Sequence, residues 1–122
     1  MLNGARILIV EDEPLIAMDL AFVIEDAEGV IAASARSVKA ALEHVDGAEF
    51  HAALLDVRLP DGTAFDIAER LEASGIPFVF CTADDEDSGQ FSRWPHVPVL
   101  PKPHKANLVV MTLVALLGKH AD

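Results

Sequence analysis

The chain has 122 residues, of which 52% are hydrophobic, and a formal net charge of −11 at pH 7. That length makes one domain near the commonest size, able to build a core without disulfides or a structural zinc. The charge argues against non-specific binding to nucleic acid or to an anionic membrane surface, and the single cysteine, Cys81, has no internal partner, as a reducing cytoplasm would favour.

Met1–Arg6 lacks the charged and apolar regions of a signal peptide, so a cytoplasmic domain over residues 1–122 is expected. Arg6–Val10 is a continuous β-branched and Leu run and reads as a central parallel strand, ending abruptly in Glu11-Asp12-Glu13. Pro14 suits the first turn of a helix. Ile16, Leu20, Val23 and Ala27 then recur at helical spacing, leaving Leu15, Met18 and Phe22 off that stripe. Gly29 is expected to end this helix. Gly29–Ser34 is a weaker strand, at an edge. Ser37 caps a second helix with Val38, Ala41, Leu42 and Val45 on one face.

His51–Asp56 is a strand buried on both faces, and Leu59-Pro60-Asp61-Gly62 turns the chain after it. Thr63 or Asp61 is expected to cap the next helix, where Ala64, Ile67, Ala68 and Leu71 face inward and Gly75 provides the stop. Ile76–Thr82 is a further buried strand. The acidic run Asp84–Asp87 has the weakest pattern, and Gly89 and Trp94-Pro95 leave room for only about two helical turns before the next strand. Val97–Leu100 is the last strand and Lys105–Leu117 the last helix, with Gly118 expected just beyond it. Its apolar stretch, interrupted by Thr112, is too short to span a bilayer. Strand and helix alternate five times with short connections, which implies an α/β, doubly wound, five-stranded parallel sheet of flavodoxin-like (β/α)5 type with strand order 2-1-3-4-5.

In an open parallel sheet the strand C-termini share one edge. That edge would gather Glu11 and Asp12 from the first strand, Asp56 from the third, Thr82 from the fourth and Lys102 from the fifth. Three carboxylates in one crevice repel each other unless a cation binds, and their hard oxygens suit Mg²⁺. With a hydroxyl from Thr82 and a mobile positive charge from Lys102, the set suits a phosphoryl group carried on Asp56.

Ile9–Pro14, Leu55–Gly62, Cys81-Thr82-Ala83 and Leu100–Pro103 together resemble the receiver domain of two-component response regulators. The resemblance covers essentially the whole chain. It implies that Asp56 is the phosphoacceptor, taking phosphate from a sensor histidine kinase or a histidine phosphotransfer protein. It further implies that Glu11, Asp12 and Asp56 hold Mg²⁺ together with the Arg58 backbone carbonyl, that Thr82 is the switch hydroxyl, and that Lys102 binds the phosphate. The Lys102-Pro103 bond is expected in the cis form. The domain would phosphorylate and dephosphorylate itself, turn over no metabolite, and signal through a downstream protein partner.

Two departures stand out. Receivers usually carry Tyr or Phe three residues before the lysine, where this chain has Val99, and it contains no tyrosine. Pro77–Thr82 is similar to the phenylalanine-rich fourth strand of a subgroup of single-domain receivers without that aromatic switch, although the subgroup's Gly-Tyr after the threonine is here Ala83-Asp84. Ordering of the stretch from Asp84 to Arg93 would then carry the signal. Arg58 and Asp84 carry opposite charges beside the phosphoryl position and are expected to pair, shielding it from water.

Leu15 and Phe22 are expected to touch the kinase. The last helix is apolar around most of its circumference, so Val110, Leu113, Val114 and Leu117 are expected to form a homodimer or partner face. Cys81 reads as core, and His44, His51, His96, His104 and His120 as surface residues. Trp94 is left open between core filler and exposed anchor. A haloacid dehalogenase-like phosphohydrolase would need a second acid where Arg58 stands, and a flavin carrier would need a phosphate loop after the first strand. A degenerate receiver that docks unphosphorylated would not be expected to keep the acids and Lys102.

Overall fold

The computed structural model describes residues 1–47, 49–83 and 90–120. Five strands form one parallel sheet: β1 (Arg6–Val10), β2 (Val30–Ala35), β3 (Ala52–Asp56), β6 (Phe78–Thr82) and β7 (Val99–Pro101), in the order β2-β1-β3-β6-β7. This is the expected 2-1-3-4-5 order, because β4 (Arg58–Leu59) and β5 (Gly62–Thr63) make a separate small hairpin after β3. Four helices are present among the described residues: α1 (Pro14–Asp26), α2 (Val38–Asp46), α3 (Phe65–Ala73) and α4 (Ala106–His120). Between β6 and β7, the described residues 90–98 run as turns rather than as a fifth helix.

Alternation along the central strands splits the core in two. Leu8, Val10, Ala53, Leu55, Phe78 and Phe80 point to one face, under Val38, Ala41 and Val45 of α2 and Ile67, Ala68 and Leu71 of α3. Ile7, Ile9, Leu54, Val79 and Cys81 point to the other, under Leu20 and Ile24 of α1 and Val109 and Leu113 of α4. A strand with both faces covered must be apolar at every position, and for this reason β3 reads Ala-Ala-Leu-Leu before its terminal acid. Each fully buried Leu or Ile contributes roughly 1.5–3 kcal/mol relative to exposure.

Several local expectations are corrected. Gly29 does not supply the left-handed turn after α1; Glu28 does, at φ 70°. Gly29 is needed for space instead, since a Cβ there would stand 2.6 Å from Ile24 Cγ2 and 2.9 Å from Leu2 Cδ1. The stop after α3 falls where expected, on Gly75 at φ 72°. The N-cap position of α3 is Ala64, which has no side-chain bond of its own; Thr63 Oγ1 accepts the Phe65 amide at 3.4 Å and so serves the start of this helix as expected, whereas Asp61 reaches α2 instead. Gly118 lies inside α4 rather than beyond it.

Trp94 is a core residue. It stacks on Phe65 at 5.4 Å and 18°, and it packs edge-on against Phe80 at 5.6 Å. Phe91 joins the same cluster, while Arg93 lies 4.7 Å over the Trp94 ring and ion-pairs with Glu69 of α3 at 2.5 Å. Residues 90–98 are thereby fastened to α3 and β6, with turn bonds from the Trp94 amide to the Phe91 carbonyl at 2.9 Å and from the Val97 amide to the Trp94 carbonyl at 3.1 Å.

Candidate functional site

Sheet register decides which residues meet. Val10 of β1 lies beside Leu55 of β3, so the residues that follow them, Glu11 and Asp56, emerge together. Asp56 pairs with Cys81, which puts Thr82 one step beyond on β6. Thr82 pairs with Pro101, and the Lys102 amide donates to the Thr82 carbonyl at 2.9 Å. Glu11 is pinned through its own amide, which donates to the Ala35 carbonyl at 2.9 Å. Four strand ends therefore deliver their side chains to one rim.

The acids converge there. Oxygens of Glu11, Asp12 and Asp56 all lie within 4.8 Å of one another. Lys102 Nζ stands 2.8 Å from Glu11 Oε1 and 3.1 Å from Asp56 Oδ1. Glu11 is 1% exposed and Asp56 8%, whereas Asp12 is half-buried. Glu11 Oε2 accepts the Glu13 amide at 3.2 Å. Glu11 Oε1 is buried and meets the Lys102 ammonium at 2.8 Å, a salt bridge inside the cluster. The surrounding pocket, of about 240 Å³, is lined by Asp12, Glu13, Asp56, Arg58, Thr82, Ala83 and Lys102. Drug-sized ligands occupy larger cavities.

Burial is the main influence on Asp56 and pushes its carboxyl up to about 7. The Lys102 ammonium partly offsets this, and the Glu11 carboxylate adds to it. Burial alone would lower the Lys102 ammonium, but contacts with Glu11 and Asp56 outweigh it and raise the value. The cluster holds more negative charge than one lysine can balance. Three hard oxygen donors, one from each of Glu11, Asp12 and Asp56, facing a single lysine fit a small divalent cation such as Mg²⁺.

Glu11, Asp12, Asp56, Thr82 and Lys102 are thus brought together as the sequence predicts, and the Lys102-Pro103 peptide is cis. Arg58 lines the mouth of the pocket with an exposed side chain. Its expected partner Asp84 lies outside the described residues, as does the acidic run Asp84–Asp87. The expected partner face is only partly displayed. Leu15 and Phe22 are 79% and 69% exposed and Val114 is at the surface, but Leu113 and Val110 are buried in the core under α4 and Leu117 is half-buried. Val110 and Leu113 form the inward stripe that any sheet-packing helix needs, and a helix apolar on most sides does not reveal in sequence which side that is.

Glu13 and Met111 are not among the expected site residues. Glu13 supplies an amide to Glu11 and part of the pocket wall; Met111 is 61% exposed on α4. Cys81 is buried, and burial pushes its thiol up to about 12, so it stays protonated and inert. His104 departs from the expected surface location: it is half-buried, its Nε2 has no hydrogen-bond partner among the described residues, and burial lowers its pKa.

Comparison with known proteins adds the following. The family profile described as the response regulator receiver domain matches residues 7–112. The sensory transduction protein RegX3 of Mycobacterium tuberculosis is 38% identical over 119 residues, which cover 95% of this chain and 52% of RegX3. The positive alginate biosynthesis regulatory protein of Pseudomonas aeruginosa is 35% identical over 102 residues, or 80% of this chain and 41% of that protein. The chain spans about half or less of the length of these curated relatives. Among solved structures, SdrG from Sphingomonas melonis Fr1 is 42% identical with a TM-score of 0.79, covering 96% of this chain and 99% of SdrG. The response regulator PhyR from Brucella abortus is 29% identical with a TM-score of 0.83, covering 97% of this chain and 49% of PhyR.

Proposed function

The chain belongs to the response regulator receiver family, and from that premise we propose that residues 1–122 form one phosphorelay acceptor unit with Asp56 as the phosphorylated residue. The observation that carries this reading is Asp56 itself, a strand-end carboxylate within 3.1 Å of Lys102 Nζ and clustered with two further acids. The donor is a phosphohistidine on a sensor kinase or phosphotransfer protein. An Asp56 oxygen attacks phosphorus; the P–N bond breaks as the P–O bond forms, its electron pair stays on the ring nitrogen, and the phosphohistidine, already protonated on its other ring nitrogen, leaves as the neutral imidazole.

Each neighbour has a task in this reaction. Glu11, Asp12, Asp56 and the Arg58 carbonyl would hold Mg²⁺, which when bound supplies positive charge against the carboxylates and the phosphoryl oxygens. Lys102, now paired with Glu11 and Asp56, follows the phosphoryl oxygens as charge moves onto them. Thr82 donates its hydroxyl to a third oxygen, and Arg58 covers the mouth of the pocket. The acyl phosphate is later hydrolysed, so the unit signals and turns over no metabolite. Leu15 and Phe22, exposed on α1, meet the phosphoryl donor. Val114 with Met111 offers a further apolar contact to a partner or a second copy, and a downstream protein reads the phosphorylated form.

Beryllofluoride with Mg²⁺, a stable substitute for the phosphoryl group, tests the site. Trp94 packs on Phe80 of β6, two residues before Thr82, so its fluorescence should respond saturably. The same titration of Asp56→Asn should be flat. A flat wild-type titration, or an unchanged response in the variant, would refute the reading.

A further inference from the structure

After Asp56 the chain does not pass straight into α3. Arg58–Leu59 folds back on Gly62–Thr63 as an antiparallel hairpin with Pro60-Asp61 at its tip. That tip is fastened to a different helix. Asp61 Oδ1 accepts the Val38 amide at 2.8 Å, and Oδ2 accepts the Lys39 amide at 3.1 Å. Both amides lie in the first turn of α2, which already has its own cap in Ser37 Oγ, accepting from Ala40 at 3.1 Å. The two bonds hold the Asp61 carboxyl below the usual range, so it meets the positive end of the helix as an anion.

What stands at the two ends of this connection gives it a role. β2 leads into α2, and the last residue of β2, Ala35, accepts the amide of Glu11. The base of the hairpin carries Arg58 on the pocket wall and continues back into Asp56. Asp61 therefore closes a ring that runs from Glu11 to Ala35, through Ser37 into α2, across to the hairpin tip, and back through Arg58 to Asp56. The loop that follows Asp56 is thus tied to the junction of β2 and α2, whose Ala35 carbonyl holds the Glu11 amide, by a carboxylate that is not one of the three clustered acids.

We propose that Asp61 is a positioning residue for the ion site, holding the hairpin against α2 so that Asp56 and the Arg58 segment keep their spacing from Glu11 and Asp12 when a divalent cation binds. The inference rests on the ion-dependent phosphoacceptor reading given above. A role in helix capping alone would change stability but not ion affinity, and Ser37, whose hydroxyl caps the same helix at the Ala40 amide, separates the two.

The test titrates Mg²⁺ into the unphosphorylated wild type, Asp61→Ala, Asp61→Asn and Ser37→Ala, with calorimetry reading ion binding and thermal melting reading the fold. Both alanine variants should melt at lower temperature than the wild type. Only Asp61→Ala should bind Mg²⁺ more weakly, by about tenfold, the low end of the range for losing an outer partner of a metal ligand. Asp61→Asn, which keeps one acceptor oxygen, should fall between, and it carries the test should the alanine variant fail to fold. Unchanged Mg²⁺ affinity in the Asp61 variants, or an equal loss in Ser37→Ala, overturns the brace. A wild type without saturable Mg²⁺ binding overturns the phosphoacceptor reading and the brace with it.

Discussion

Asp56 is held by opposing forces: burial and Glu11 favour its neutral form, and Lys102 favours its charge. The balance puts its folded value at about 7, above the model-compound 3.8. A carboxyl raised on folding stabilises the fold fully below its unfolded value, and that stabilisation is lost as pH rises to the folded value. Metal-free protein should therefore weaken between about pH 4 and pH 7, by on the order of 4 kcal/mol at most. Melting curves in chelator should show this decline, and Asp56→Asn should largely remove it by making the group permanently neutral. Cation binding must displace the same proton, so Mg²⁺ affinity should rise with pH up to about 7 and then level off. A wild-type melting temperature that is flat across this window would show that Asp56 is already ionised.

At the scale of elements, α2 and the turns over residues 90–98 are held in different ways. Ser37 is a direct cap, and Ser37→Ala should cost about 1 kcal/mol in urea unfolding. Residues 90–98 form turns that Trp94 anchors on Phe65 of α3 and Phe80 of β6, so Trp94→Ala should cost roughly 3–5 kcal/mol and free this segment from α3. A loss below about 1 kcal/mol in the Trp94 variant would mean that Phe91 and the Arg93–Glu69 pair suffice to hold it. The strands and the rim they build were legible in sequence, because a two-sided buried strand is apolar until it ends and its terminal acid then stands out. The Asp61 attachment was not. An acid followed by glycine just before a helix looks like a local cap, and nothing local announces that the acceptor reaches amides more than twenty residues away. The role of Gly29 was hidden for a related reason, since its constraint comes from the packing of Leu2 and Ile24 around it.

Over the whole molecule, the apolar surface and the acidic site lie on separate features. A groove of about 510 Å³ runs between α1 and α4 and is lined in part by Phe22, Val23, Val110 and Met111. Leu15, Met18 and Phe22 form an exposed stripe on α1, and the helix carries Asp19, Glu25 and Asp26 without a lysine or arginine. A protein donor must dock on some such surface, whereas a small phosphodonor needs only the pocket. Leu15→Ala and Phe22→Ala should thus slow transfer from a phosphorylated histidine protein, by about tenfold for a contact of ordinary hot-spot strength, and leave phosphorylation by a small donor unchanged. Equal slowing with both donors would place these residues in folding rather than docking.

The phosphoacceptor assignment is tested most directly by incubating the protein with a small phosphodonor and Mg²⁺, reducing the acyl phosphate with borohydride, and locating the modified residue by mass spectrometry. The account predicts a single phosphoryl group per chain, reduction at Asp56 alone, and no incorporation without the divalent ion or in Asp56→Asn. Modification at a histidine or at another acid, or incorporation that persists in Asp56→Asn, would contradict it.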